Sequence, residues 1–295
     1  MIGAYWESVL IFTGINIILA LGCFFPFSAG LPSLGQAGYM AVGAYTSAVL
    51  TVHAGAPFWP AVLAGGTMAG GMGFLTGFPA LRVRGLYLVI MTWGFAEMIR
   101  VFFLNFEPTG GARGLGEIAP ETTVGGVYGV VAVLVVFCSR LSRSRKGRAW
   151  EAIRGDEAAA ETLGISLTRE KLAAFSLGAF VTGIGGGLYA HYALYIESDT
   201  FNFFRSAEIL FFCVLGGGKV FWGPVVGAAL LTVLPEFFRI LQDWRLVFYG
   251  STLILMMVFR PDGLIPRTLS GLRGTFLSGT SGGTTATPTL KGGTS

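Results

Sequence analysis

The 295 residues are 53% hydrophobic and 12% charged, with 45 glycines, 25 phenylalanines and a mean hydropathy of +0.68. Such a chain is excluded from the ordinary soluble classes, and its expected fold is all-α: a polytopic transmembrane helical bundle of about 8–10 spans, some of them short or re-entrant and rich in glycine. The net charge of +4 is no sign of nucleic acid, because the basic residues flank apolar runs instead of forming a stripe with interleaved aromatics; they read as markers of the cytoplasmic side.

The first apolar run, 8–27, is long enough to cross a hydrocarbon core of about 30 Å. Its leader carries Glu7 and lacks a positive region, so it reads as a retained span and not as a secretory signal. In the second, 31–52, Gly35, Gly38 and Gly43 alternate with Ala and Ser. Small residues let helix backbones approach closely in lipid, and this density also permits a broken or re-entrant helix. A third span, 58–81, carries the packing face GGTMAGGMG and ends at Arg82 and Arg84. The fourth, 85–106, contains Glu97 and Arg100, three residues apart on one face. A charge at bilayer depth costs roughly 2.5–3.5 kcal/mol, so the two either neutralise each other or Glu97 meets a substrate or gate.

An acidic loop, 107–123, leads to the fifth span, 124–139. The sixth, 172–194, is expected to be capped by Thr168 with Glu170 in its first turn. The apolar piece 207–215 is too short to cross comfortably and stops at a run of three glycines and Lys219, either as a tilted short helix or as a re-entrant hairpin. Spans at 222–238 and 246–259 follow. Residues 1–265 form the expected membrane domain, and 266–295 a flexible cytoplasmic tail turning to Gly, Ser and Thr.

Between the fifth and sixth spans lies a polar island, 140–171, with eight basic and five acidic residues, 13 of the chain's 36 charges. One helix is expected over 148–154, with Gly155 interrupting, Asp156 capping a second helix over 157–163, and Gly164 stopping it. An ordinary positive-inside loop would explain the charge, whereas the stripe Ile153, Ala160, Leu163, Ile165 argues for docking. Placing the island inside puts Arg82, Arg84, Lys219, Arg260, Arg267 and Arg273 inside too, and the acidic loops at 107–121 and 197–199 outside. The N-terminus is then external and the C-terminus cytoplasmic.

Several chemistries lack their residues. No GxxxxGK followed by Ser or Thr occurs, so a nucleotide motor must be another chain. His53 and His191 form no HExxH, and no GxSxG is present; catalytic and metal sites are therefore expected to be absent. His191, between Tyr189 and Tyr192, reads as an interfacial aromatic. Cys23, Cys138 and Cys213 lie in apolar runs without a CxxC and read as buried free thiols. Gln36, Thr92, Glu97 and Glu208 are translocation-pathway candidates by position and polarity.

Four stretches resemble the permease subunits of ATP-binding-cassette importers for branched-chain amino acids, of the LivM type. They are SLGQAGYMAVGAY (33–45), RVRGLYLVIMTWGFAEMIR (82–100), GRAWEAIRGDEAAAETLGIS with KLAAFSLGAFVTGIGGGLYAHY (147–192), and SAEILFFCVLGGGKVFWGPVVGAALLTVLPE with YGSTLILMMVFRPDGL. The resemblance covers roughly residues 8–265. It implies a non-enzymatic transport subunit in the bacterial plasma (inner) membrane, with no cofactor of its own. Its implied partners are a LivH-like permease subunit, two ATP-binding cassettes that hold ATP and Mg2+, and an extracytoplasmic solute-binding protein. It also implies that the island couples to the ATPase, through Gly147, Arg148, Ala152, Ile153, Arg154, Asp156, Glu157, Ala160, Leu163 and Gly164. Trp93, Trp150 and Gly155 depart from the pattern, and the glycine is expected to alter the island's bend. Permeases for urea and short-chain amides share the resemblance, and a self-contained, gradient-driven transporter or channel is the rival reading.

Overall fold

Apolar helical runs separated by Gly, Pro and charged punctuation produce helices throughout. The computed structural model describes residues 2–237 apart from Arg84 and Lys219. The span expected at 246–259, the tail at 266–295 and the basic markers Arg260, Arg267 and Arg273 lie outside the described residues. The helices are α1 (Ile2–Ser28), α2 (Gln36–Val52), α3 (Phe58–Ala80), α4 (Leu86–Asn105), α5 (Val124–Arg143), α6 (Arg145–Gly155), α7 (Glu157–Thr162), α8 (Leu167–Ala193), α9 (Phe203–Gly216) and α10 (Trp222–Phe237). Among the described residues β pairing is confined to one bridge, Leu115 with Ile196.

Helices α1, α3, α4, α5 and α8 are long and apolar enough to cross a membrane. At about 1.5 Å per residue, α9 extends only about 21 Å. It turns back through Gly217 and Gly218 into α10, so 203–237 is a hairpin of two short helices, whose second arm is the stretch expected as a separate span at 222–238. Helix α1 begins at Ile2 and α2 at Gln36, where 8 and 31 were expected, and three further boundaries differ for local reasons. Helix α5 runs on to Arg143, because Arg140 and Arg143 in its last turn complement the negative end of the helix dipole. Helix α8 starts at Leu167 behind Ser166, so Thr168 lies inside the helix and caps nothing, while Glu170 is in the first turn as expected. Helix α9 starts at Phe203, where the Asn202 side chain accepts from the Arg205 amide at 3.2 Å.

The core is built around α8, which packs on α1, α2 and α3. Glycine makes this possible at one junction in particular. A Cβ on Gly65 of α3 would lie 2.5 Å from the Gly43 carbonyl of α2, one on Gly43 would strike the Gly183 backbone of α8, and one on Gly183 would lie 2.5 Å from Ala69 Cβ. Three backbones therefore touch where most helices are held apart by side chains.

The two ends of the bundle differ in charge. At one, the loops after α4 and α8 join through the Leu115–Ile196 bridge, the Tyr195 hydroxyl donates to the Arg113 carbonyl at 2.6 Å, and Arg100 pairs with Asp199 at 2.6 Å. At the other, the island's α6 and α7 meet the loops after α1, α3 and α9. The acidic loops thus share one end and the island takes the opposite one, the grouping expected from charge.

Candidate functional site

Two features fall outside simple apolar packing: a polar seam inside the bundle and the knob formed by α6 and α7. In the seam, α2 begins inside the bundle at the buried Gln36, and the first turn of α9 meets it there, with Phe203 and Phe204 exposed and Ser206 buried. The first residue of α2, Gln36, accepts from Thr182 Oγ1 at 2.7 Å, and Thr182 lies in the middle of α8. The Ala37 amide donates to Ser206 Oγ of α9 at 3.1 Å, and the Leu34 amide donates to Thr92 Oγ1 of α4 at 3.0 Å. Ser33, Gln36, Thr92, Thr182 and Ser206 are all buried. A helix start carries partial positive charge, so the buried start of α2, with the first turn of α9 against it, makes a setting suited to anionic groups.

The seam continues into charge. Arg205 of α9 pairs with Glu208 at 2.7 Å, with side chains only 12% and 15% exposed, and donates to Asn16 Oδ1 of α1 at 2.8 Å. Asn16 Nδ2 in turn donates to Thr232 of α10 at 2.9 Å. Of the four pathway candidates, the structure brings Gln36, Thr92 and Glu208 into this seam. Glu97 lies apart from it: its carboxylate binds Arg100 at 2.5 Å near the acidic-loop end, where Arg100 also holds Asp199. Arg205 and Ser206 are additions that the sequence reading missed. Arg205 sits three residues before Glu208 in a short apolar helix, the spacing already noted for Glu97 and Arg100.

The knob follows the expected break points closely. Helix α6 is capped by Ser144, whose hydroxyl accepts from the Gly147 amide at 3.3 Å. Gly147 itself is required: a Cβ there would sit 2.9 Å from Ser142 Cα and collide with the Leu141 carbonyl, so the α5–α6 corner closes only on glycine. Asp156 is extended and accepts from the amides of Ala158 (2.8 Å) and Ala159 (3.1 Å), starting α7. Gly164, at φ +79°, ends it with paired bonds from its own amide to Glu161 and from the Ile165 amide to Ala160. Gly155 does not make the bend, contrary to expectation. It is the last residue of α6, and a Cβ there would meet nothing within 4 Å. The bend belongs to Asp156. Asp156→Ala is therefore expected to cost about 1 kcal/mol in an unfolding measurement, while Gly155→Ala stays level or gains slightly.

Much of the expected docking stripe faces inward. Ile153 and Ala160 are buried against the chain itself, each 2% exposed, while Leu163 is 77% exposed at the tip. Three charged contacts seat the knob: Arg154 donates to the Gly218 carbonyl and lies over the Phe27 ring at 5.3 Å, and Glu157 pairs with Lys171 at 2.7 Å. Trp150 is buried edge-on to Phe25 at 6.2 Å, with its indole N–H on Glu170 at 2.8 Å. Arg148 reaches back to the Arg143 carbonyl, and Ala152 is partly buried. The knob is thus fixed to the bundle on one side and presents α7 and Leu163 on the other.

His191, expected as an interfacial aromatic, is buried within the chain in the last turn of α8. Its Nδ1 donates to the Gly187 carbonyl at 2.9 Å, and its ring packs edge-on to Phe58 at 4.9 Å. All three cysteines are buried free thiols, and no cluster of metal-ligating side chains occurs among the described residues.

Comparison with known proteins agrees with this architecture. A family model described as "Branched-chain amino acid transport system / permease component" matches residues 5–257. Two relatives, from Salmonella typhimurium and Escherichia coli K12, are each named "High-affinity branched-chain amino acid transport system permease protein LivM". Each is 36% identical over 300 aligned positions, covering 90% of this chain and 69% of the relative. A "Probable branched-chain amino acid transport permease protein LivM" of Methanocaldococcus jannaschii is 24% identical over 228 positions, 66% of this chain and 65% of that one. No solved structure matches the chain. With a family model spanning most of its length and relatives at this identity, the multi-pass helical bundle described above belongs to the family of permease components of branched-chain amino acid transport systems.

Proposed function

We propose that this chain carries branched-chain or related hydrophobic amino acids across the bacterial plasma membrane as one permease subunit of an ATP-driven importer. A LivH-like subunit completes the translocation pair, two ATP-binding cassettes supply the motor and bind ATP with Mg2+, and an extracytoplasmic protein delivers the solute. The island 140–171 and the C-terminus face the cytoplasm in this reading. The observation that carries it is the knob's two-sidedness: Arg154 and Glu157 fasten it to the bundle, while Leu163 stands exposed beyond it. A lever needs a rigid mount and a free contact surface, and closure of the ATPases would move the mount through α6 and α7.

Within the bundle, Gln36, Thr92, Ser206 and the Arg205–Glu208 pair form the proposed pathway. An amino acid presents a carboxylate, an ammonium and an apolar side chain. The starts of α2 and α9 with Arg205 suit the first, Glu208 the second, and the apolar helix faces the third.

Coupling is tested at the tip. Leu163→Glu leaves every contact of the knob with its own bundle in place, so assembly and membrane levels should match wild type. ATP-driven uptake of radiolabelled leucine into vesicles should fall about tenfold or more, as for loss of a buried interface anchor. Unchanged uptake by this variant removes α7 from the coupling surface. Uptake by wild type in vesicles that hold no ATPase overturns the importer reading altogether.

A further inference from the structure

Helices α3, α5 and α8 enclose a groove that the transport reading leaves unused. Its outer part, about 680 Å³, is lined by Trp59, Leu63, Gly129, Val133, Phe137 and Phe180 among others, almost all apolar. A second cavity of about 500 Å³ continues it toward the island, sharing Phe137, Leu177 and Phe180 and ending at Lys146 and Trp150. The two form one channel on the bundle surface, apolar along its length and cationic at the island end. Lys146 is exposed and makes no ion pair with any described residue, although acids are plentiful in the island.

The glycines of this groove differ from those of the core. At Gly43, Gly65 and Gly183 an added Cβ would strike backbone or a fixed neighbour, whereas at Gly71, Gly125 and Gly129 it would meet nothing within 4 Å. The chain's own packing gives no reason for glycine at these three positions. Leucine or alanine would make better helix there, by up to about 1 kcal/mol each. Room for an occupant outside this chain gives one.

We infer that the groove holds an anionic phospholipid, with an acyl chain laid between α3, α5 and α8 and its phosphate against Lys146. The dimensions agree. From Leu141, beside the cationic end, to Gly125 at the far end is about 24 Å along α5, which accommodates the about 15 Å of one leaflet's share of a 30 Å core with space beyond it. The charge agrees as well, since Arg140, Arg143 and Arg145 flank Lys146 in sequence, and basic pockets between helices select anionic headgroups. The occupied groove would buttress the α5–α6 corner on which the knob is mounted.

The experiment uses the complete complex, purified in mild detergent and equilibrated with phosphatidylglycerol or phosphatidylcholine, with retained lipid counted by native mass spectrometry. Wild type should retain at least one phosphatidylglycerol that Gly71→Leu with Gly129→Leu does not. Both substitutions point into open space, so this variant should assemble and unfold like wild type. Lys146→Gln should keep a lipid in the groove but lose a preference of about fivefold for phosphatidylglycerol over phosphatidylcholine. Equal retention by wild type and the groove-filled variant overturns the proposal, as does the absence of any headgroup preference in wild type. Crosslinking of a cysteine at Gly129 to another protein subunit would also overturn it, by showing that the groove is a subunit interface.

Discussion

Gly43→Leu should prevent a stable bundle from forming. The side chain would enter where α2 meets the Gly183 backbone of α8 while Gly65 of α3 abuts the Gly43 carbonyl. Overpacking a well-filled interior costs typically 1–3 kcal/mol when neighbouring side chains can give way. Here the neighbours are main chain and cannot rotate aside, so the cost should reach the top of that range or exceed it. The helices must separate, and with them the contacts of α8 with α2 and α3. Gly43→Ala should show the same effect in smaller measure. Gly94→Ala is the matched control, because a Cβ on Gly94 meets nothing within 4 Å; it should be neutral or slightly stabilising. Thermal unfolding followed by size-exclusion fluorescence in detergent separates the cases. A Gly43→Ala protein with the wild-type transition would mean that the three-backbone junction is not a source of stability.

That contrast between glycines marks how far the sequence could be read. Glycine density in 31–52 and 65–73 points to thin helix faces, but density alone does not separate the packed glycines from Gly71, Gly125 and Gly129, which line open space. The difference depends on which helices become neighbours. The knob was legible in more detail because its signals are local: Asp156 caps amides two and three residues on, and Gly164 closes the turn it ends. Gly155 misled because a glycine between helices is most easily read as a break, whereas the extended backbone lies one residue later. The stripe Ile153 and Ala160 reads as an outward docking face for a related reason. Helical periodicity identifies an apolar face without saying whether its partner is the same chain or another. The seam was least legible. Ala37 and Ser206 are 169 residues apart, and nothing local shows that the first turns of α2 and α9 meet.

Glu208→Leu should be severely destabilising, and the double variant Arg205→Met with Glu208→Leu much less so. The carboxylate and guanidinium are 2.7 Å apart and nearly withdrawn from solvent, so removing the acid leaves a cation inside an apolar bundle with Asn16 as a neutral partner. Breaking a buried pair on one side typically costs about 3–5 kcal/mol, while replacing both members with apolar residues of similar volume is often neutral. Stability alone therefore says little about why the pair is there. Transport decides that. With the solute crossing at the seam, the double variant should reach the membrane at normal levels, unfold near the wild-type temperature and yet lose uptake by tenfold or more, because a zwitterion then meets no charge at the α9 start. With a purely architectural pair, uptake should return along with stability. A double variant that both folds and transports would move the pathway away from Arg205 and Glu208, leaving Gln36, Thr92 and Ser206 as the residues at which to look for it.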